Sequence, residues 1–229
     1  MKEYSIPIPK EKFESLKNDQ KFLKILILAR FVNALRFCQM LSLLPPISNS
    51  EGTYARTRHT INVPLFTISV LYEGFHFAEK SLETDKGFKE MDVYKNGIGA
   101  IISDEKNKKI INHSLSIMRN SFVFHFDHKN ITKIGQTLSN YKPASCVFAS
   151  AHGEAGGNMY YGFADEFFIN YLLDHKGAKS DDELKEKYKG LLRDTLNLMQ
   201  SFSDATEILI AEVLLQLGLR ANESAVQPY

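Results

Sequence analysis

Apolar residues near the start of the chain return every three or four positions. Phe22, Ile25, Leu26, Ala29, Val32, Leu35 and Phe37 form this series, which predicts a helix from Glu11 to about Leu44. Pro45 and Pro46 end it and open a polar stretch, ISNSEGTYARTRHT, read as a loop. A second long helix is expected from Asn62, a suitable N-cap, with Pro64 tolerated in the first turn and an end near Leu82. The segment after Gly87 suits a shorter helix. A third long helix is expected from about Glu105 to Phe126 or Asp127, and Asn130 can cap a short helix after it.

From Ala144 the pattern changes. β-Branched and aromatic residues flank the turn GEAGGN, which reads as a hairpin or an ordered loop. Helical patterns return in EFFINYLLDH, in DDELKEKYKGLLRDTLNLMQ and in SDATEILIAEVLLQLGL, with Asp181 and Asp182 suited to the positive end of the second. The last residues, ANESAVQPY, read as a frayed tail. The sum is six to eight helices and one short β-hairpin. This is an all-α, bundle-like protein, a single mostly helical domain over residues 1–229 with a sub-region seam near 141–163.

Composition narrows the function classes. With 229 residues, 44% of them hydrophobic and 24% charged, the chain can bury a sizeable core. The 28 Lys and Arg against 27 Asp and Glu give a net charge of +1, so attraction to nucleic acid must come from a local patch. The two cysteines, Cys38 and Cys146, show no CxxC spacing. They speak against a disulfide framework and a zinc site, and suit a reducing compartment. The start of the chain shows no signal-peptide pattern, and LKILILARFVNAL and ILIAEVLLQLGL are too short or too interrupted by charge to span a bilayer. The expectation is a cytoplasmic protein with no membrane partner.

Chemistry concentrates in RNSFVFHFDHKN, Arg119 to Asn130. Phe122, Val123, Phe124 and Phe126 are packing residues, which leaves Arg119, Asn120 and His125 to explain. On a regular helix, six residues advance about 9 Å and about 240°, so Arg119 and His125 do not share one flush face. A bend near the helix end or a second copy of the chain would bring them to one substrate. Such a trio suits phosphodiester cleavage. The histidine moves a proton near neutral pH. The arginine stabilises charge growing on the phosphate. The Asn120 amide orients one of them. With RNA, the 2′-hydroxyl serves as internal nucleophile and no metal is needed.

An arginine followed by a polar residue, with a histidine a few residues later in a helical protein, resembles the HEPN superfamily. Arg119, Asn120 and His125 carry that resemblance, with five residues between arginine and histidine. It implies a helical bundle of four or five helices, here with additional C-terminal helices. It also implies pairing into homodimers that bring two motifs to a shared cleft, and metal-independent endoribonuclease activity of toxin or phage-defence type, with an antitoxin or partner protein. The alternative is a non-catalytic helical bundle that binds a partner protein or small ligand, with Arg119 on the surface and His125 half-buried.

Other candidates have plainer readings beside the functional ones. Arg56, Arg58 and His59, in the loop before the second helix, are placed to bind substrate phosphates, or to be a solvated basic loop. Glu73 lies in an apolar stretch and is expected to enter the core with an arginine partner. His113, His125 and His128 with Asp127 lack a recognised ligand spacing, so no metal or other cofactor is expected. GEAGG lacks the Lys-Ser/Thr of a phosphate loop. Lys106, Lys108 and Lys109, beside Asp104 and Glu105, read as a solvated helix start.

Overall fold

A short break divides the first predicted helix. In the computed structural model, which describes residues 3–43, 52–116, 150–151, 159–160, 181–220 and 222–224, α1 spans Lys10–Leu16 and α2 spans Gln20–Leu43. Asp19 makes the division. Its carboxylate accepts the Phe22 N–H at 2.9 Å, the N-cap bond that satisfies one of the unpaired donors of α2. The break falls in five consecutive polar residues, Lys17 to Lys21, just before the apolar series begins at Phe22.

The helix α3 spans Gly52–Phe77 and starts ten residues earlier than Asn62. The stretch read as a polar loop is therefore largely helical, and Pro64 lies inside the helix. A π-helical turn, Ala78–Leu82, continues α3 to the end its pattern predicts. Short pieces follow: α4 (Lys86–Lys89), α5 (Asp92–Tyr94), a π turn (Lys95–Gly99), α6 (Ala100–Ser103) and α7 (Glu105–Lys109), which runs into a further π turn, Ile110–Leu115. The predicted helix beyond Ser116 lies outside the described residues.

The last helix, α8, spans Asp181–Gln216 without the break expected between Gln200 and Ser203. Its buried stripe explains the continuity. Leu191, Thr195, Leu198, Phe202, Thr206, Leu209 and Val213 stay in phase through that point, so one helix buries all seven. At its C-terminus Leu219 N–H donates to Leu214 O at 2.8 Å and Gly218 N–H to Leu215 O at 2.9 Å. Gly218 takes the left-handed conformation that this Schellman cap requires, at φ +74°.

The fold is mostly helical, and among the described residues the strands are two or three residues long. Strands β2 (Ser150–Ala151) and β3 (Met159–Tyr160) pair antiparallel and flank the predicted hairpin turn. The expected frayed tail is corrected in part. Asn222–Ser224 forms β4, antiparallel to β1 (Glu3–Ser5), with Tyr4 opposite Glu223. No alternation marks either segment in sequence.

Contacts group the chain into two compact units. The first comprises Met1–Ala34, Gly74–Asp104 and Gln200–Tyr229, and the second Leu35–Glu73 and Glu105–Met199. In the first, three helices meet ring to ring. Phe31 of α2 stands edge-on to Phe202 of α8 at 5.4 Å, and Phe75 of α3 stacks on Phe202 at 6.1 Å. Such pairs add about 0.5–1.5 kcal/mol to the burial of their area. Gly74 lies directly beneath Phe31, so close that an added Cβ would sit 2.0 Å from the ring. In the second unit, Leu35, Cys38, Ile68, Leu71, Ile111, Leu115, Leu191 and Leu198 are buried.

Two stability measurements test this packing. Gly74→Ala should lose about 1–3 kcal/mol in urea unfolding, because the buried Phe31 ring cannot move aside freely. The loss should shrink in a Phe31→Leu background; an equal loss in both backgrounds would mean that the ring is not the obstacle. Thr195 is 2% exposed, and its hydroxyl has no hydrogen-bond partner among the described residues. Thr195→Val should therefore stabilise by about 1 kcal/mol, since it removes an unsatisfied buried group at nearly constant shape.

Candidate functional site

Helix geometry revises the basic cluster first. Arg56, Arg58 and His59 lie within α3, beyond the first four N–H groups that a helix leaves unpaired. The reading of a loop poised at a helix N-terminus is therefore corrected: the backbone at Arg56 and Arg58 is already helical. Arg119, Asn120 and His125, and with them His128 and Asp127, lie outside the described residues. His113 is exposed on the π turn that follows α7.

Glu73 does not enter the core. It is exposed, while Leu71, Gly74, Phe75 and Ala78 of the same run are buried. Glu73 is two positions from both Leu71 and Phe75, which turns it about 200° away from them on a helix. Cys38 is buried, and burial raises its thiol above the ordinary value against a smaller opposing effect of the neighbouring Thr67 side chain. A protonated thiol in this setting is a packing group rather than a nucleophile.

The best-defined polar constellation lies in the first unit, and sequence reasoning missed it. Asp85 precedes α4 and accepts the Gly87 N–H at 2.8 Å, acting as its N-cap. Lys24, 61 positions away on α2, donates to the same carboxylate and to the Ser81 carbonyl at 3.0 Å. Its ammonium also stands 5.7 Å from the centre of the buried Phe88 ring. The Lys24 bond is the main cause that holds the Asp85 carboxyl below its usual range.

Beside it, Glu83 accepts from Lys89 at 2.8 Å and from the Tyr94 hydroxyl at 2.8 Å. Lys89 first and Tyr94 second depress the Glu83 carboxyl. Burial, and then the bond to Glu83, raise the Tyr94 phenol, which stays a neutral donor. Both carboxylates hold cationic or hydroxyl donors of the protein itself. The arrangement fastens α2, the π turn after α3, α4 and α5; it presents no uncommitted acid or base. The N-cap Asp85 was legible from its place before Lys86-Gly87. Its partner Lys24 was not, because no local rule links positions so far apart.

Among the described residues, no group of three or more His, Cys, Asp or Glu could hold a metal ion, and no helix is long and apolar enough to cross a membrane. The chain matches no family model, no curated protein and no solved structure.

The clasp predicts a defined acid response. A depressed folded-state pKa means that the contribution of Asp85 is complete above its unfolded value of about 3.9 and is lost as pH falls through the folded value. Asp85→Ala should cost about 1–2 kcal/mol at neutral pH, from the lost cap and ion pair. Asp85→Asn keeps a capping oxygen and should cost less. The difference between wild type and Asp85→Asn in denaturant unfolding should close as pH drops below about 4. A difference that persists at low pH would rule out the charge as its source.

Proposed function

We propose that this protein is a HEPN-like, metal-independent endoribonuclease that acts as a homodimer. The observation that carries the reading is the Arg119-Asn120 pair followed by His125 in a mostly helical chain. In this reading the RNA 2′-hydroxyl attacks the adjacent phosphorus. The 2′-O–P bond forms as the P–O5′ bond breaks, leaving a 2′,3′-cyclic phosphate and a 5′-hydroxyl. His125 takes the 2′-hydroxyl proton or delivers one to the departing 5′-oxygen, and a dimer supplies one histidine for each task. Arg119 stabilises the charge that grows on the phosphate oxygens. Asn120 orients the phosphate or the histidine. A role as a toxin or phage-defence nuclease, with an antitoxin or partner protein, belongs to the same proposal.

A second reading is a bundle that binds a partner protein without catalysis. The observation in its favour is on α2, where Leu26, Ile27, Phe37 and Met40 are 49–51% exposed. Isolated exposed apolar residues are common, but Leu26 and Ile27 in the first unit, and Phe37 and Met40 in the second, are each candidate contact points.

Incubation of the purified protein with RNA in EDTA separates the two. The nuclease reading expects cleavage with cyclic-phosphate ends, reduced about 10²–10⁴-fold in His125→Ala and comparably in Arg119→Ala. Cleavage that survives in both variants, or that vanishes with EDTA, would overturn it. Intact RNA together with a stable complex with a partner protein would favour the second reading.

A further inference from the structure

The C-terminal part of α8 carries its most exposed apolar residues on one line. Ile208 is 58% and Leu215 55% exposed, the highest values among the large apolar side chains of the described residues. Ser201, Asp204 and Ala211 are exposed with them. These five follow at steps of three, four, three and four, the spacing of a seam that packs on a second helix. On the opposite side of the helix, Phe202, Thr206, Leu209 and Val213 are buried. The whole seam belongs to the first unit.

The charges at its two ends select what fits on it. Asp204 is exposed at the N-terminal end, where the Gln200 amide donates to both of its oxygens at 2.8 and 2.9 Å. Arg220 is exposed just past the Schellman cap at the other end. Laid antiparallel on itself about a two-fold axis beside Ala211, the seam sets Ile208 of each copy on Leu215 of the other. The same register brings Asp204 of each copy toward Arg220 of the other. Ala211 is the small residue at the axis, where it lets two helices approach to about 8 Å. A parallel copy would instead set Asp204 against Asp204, with like charges in register. A surface that matches itself under a two-fold rotation has the form of an isologous dimer face.

We propose that this face of α8 is a self-association surface whose occupant is the same face of a second copy, antiparallel. The apolar pairs supply the attraction, and the end charges set the direction. Glu212 of each copy comes near Glu212 of the other beside the axis, a repulsion that weakens the pair. The seam is short and lies at the low end of interface size, which places association in the micromolar range. The pairing is independent of the nuclease reading, which needs two Arg119 motifs in one cleft and says nothing of α8.

Sedimentation of the full chain over about 1–200 µM tests it. Wild type should pass from monomer to dimer as concentration rises. Ile208→Asp with Leu215→Asp should raise the dissociation constant at least about tenfold, with circular dichroism unchanged because both side chains are exposed. Asp204→Arg alone should weaken the pair, and Asp204→Arg with Arg220→Asp should restore it. Glu212→Gln should tighten it. Cysteine cross-linking reads the direction. Ala211→Cys should link under mild oxidation above the wild-type background, whereas Ser201→Cys should not, because antiparallel pairing holds the two Ser201 positions about 30 Å apart. A monomer at every concentration, a dimer indifferent to the paired Asp substitutions, or equal linking at both positions would overturn the face. RNA cleavage in EDTA is scored on the same samples. Cleavage by a chain whose dimer ignores the paired Asp substitutions sinks this face alone; an α8 dimer without cleavage sinks the nuclease reading alone.

Discussion

Three helices from distant parts of the sequence converge on the Phe202 ring, and much of the first unit follows from that convergence. Phe31 meets it edge-on and Phe75 meets it face to face, so α2, α3 and α8 each contribute one ring. The edge-on approach places the positive rim of one ring against the negative face of another. It also brings Phe31 over the backbone of α3, where only a residue without Cβ leaves room. Gly74 is that residue. A glycine in a helix interior costs about 1 kcal/mol relative to alanine, and here close ring packing offsets that cost.

The polar clasp solves a different problem. Between Leu82 and Ser103 the chain changes direction through short helical pieces that leave many helix ends to satisfy. Asp85 caps one of them and Lys24 ties that cap to α2. Glu83 then engages Tyr94, whose ring is buried. Lys24, Asp85, Glu83, Lys89 and Tyr94 each have a named partner, which is the condition for burying such groups without a large penalty. The clasp is therefore a structural device, distinct from the RNA chemistry proposed for the Arg119 segment.

Legibility varied by the range of the interaction. The apolar stripes of α2, α3 and α8 were readable because periodicity is local, and the hairpin followed from its turn residues. The breaks were not. The break at Asp19, where a side-chain cap starts a new helix, lies in the polar run Lys17 to Lys21, which was read as continuous helix. The polar letters of ISNSEGTYARTRHT hid the first turns of α3, where helix continues through residues that also suit loops. The same error moved Arg56 and Arg58 from a loop into a helix. A new helix was expected from Ser203 and Asp204, but the buried stripe keeps its phase there and α8 runs on.

By itself, the sequence determined the helical class, the apolar stripes, the chemistry available in Arg119, Asn120 and His125, and the near-neutral charge balance. These depend on spacing along the chain and on residue type. Only the tertiary structure decided that Gly74 lies under Phe31, that Lys24 meets Asp85, that Glu73 faces outward and that β1 pairs with β4. The physical reason is common to these cases. Each depends on where a distant segment packs or on the phase at which a helix docks, and both are settled by the joint burial of several segments rather than by any local pattern.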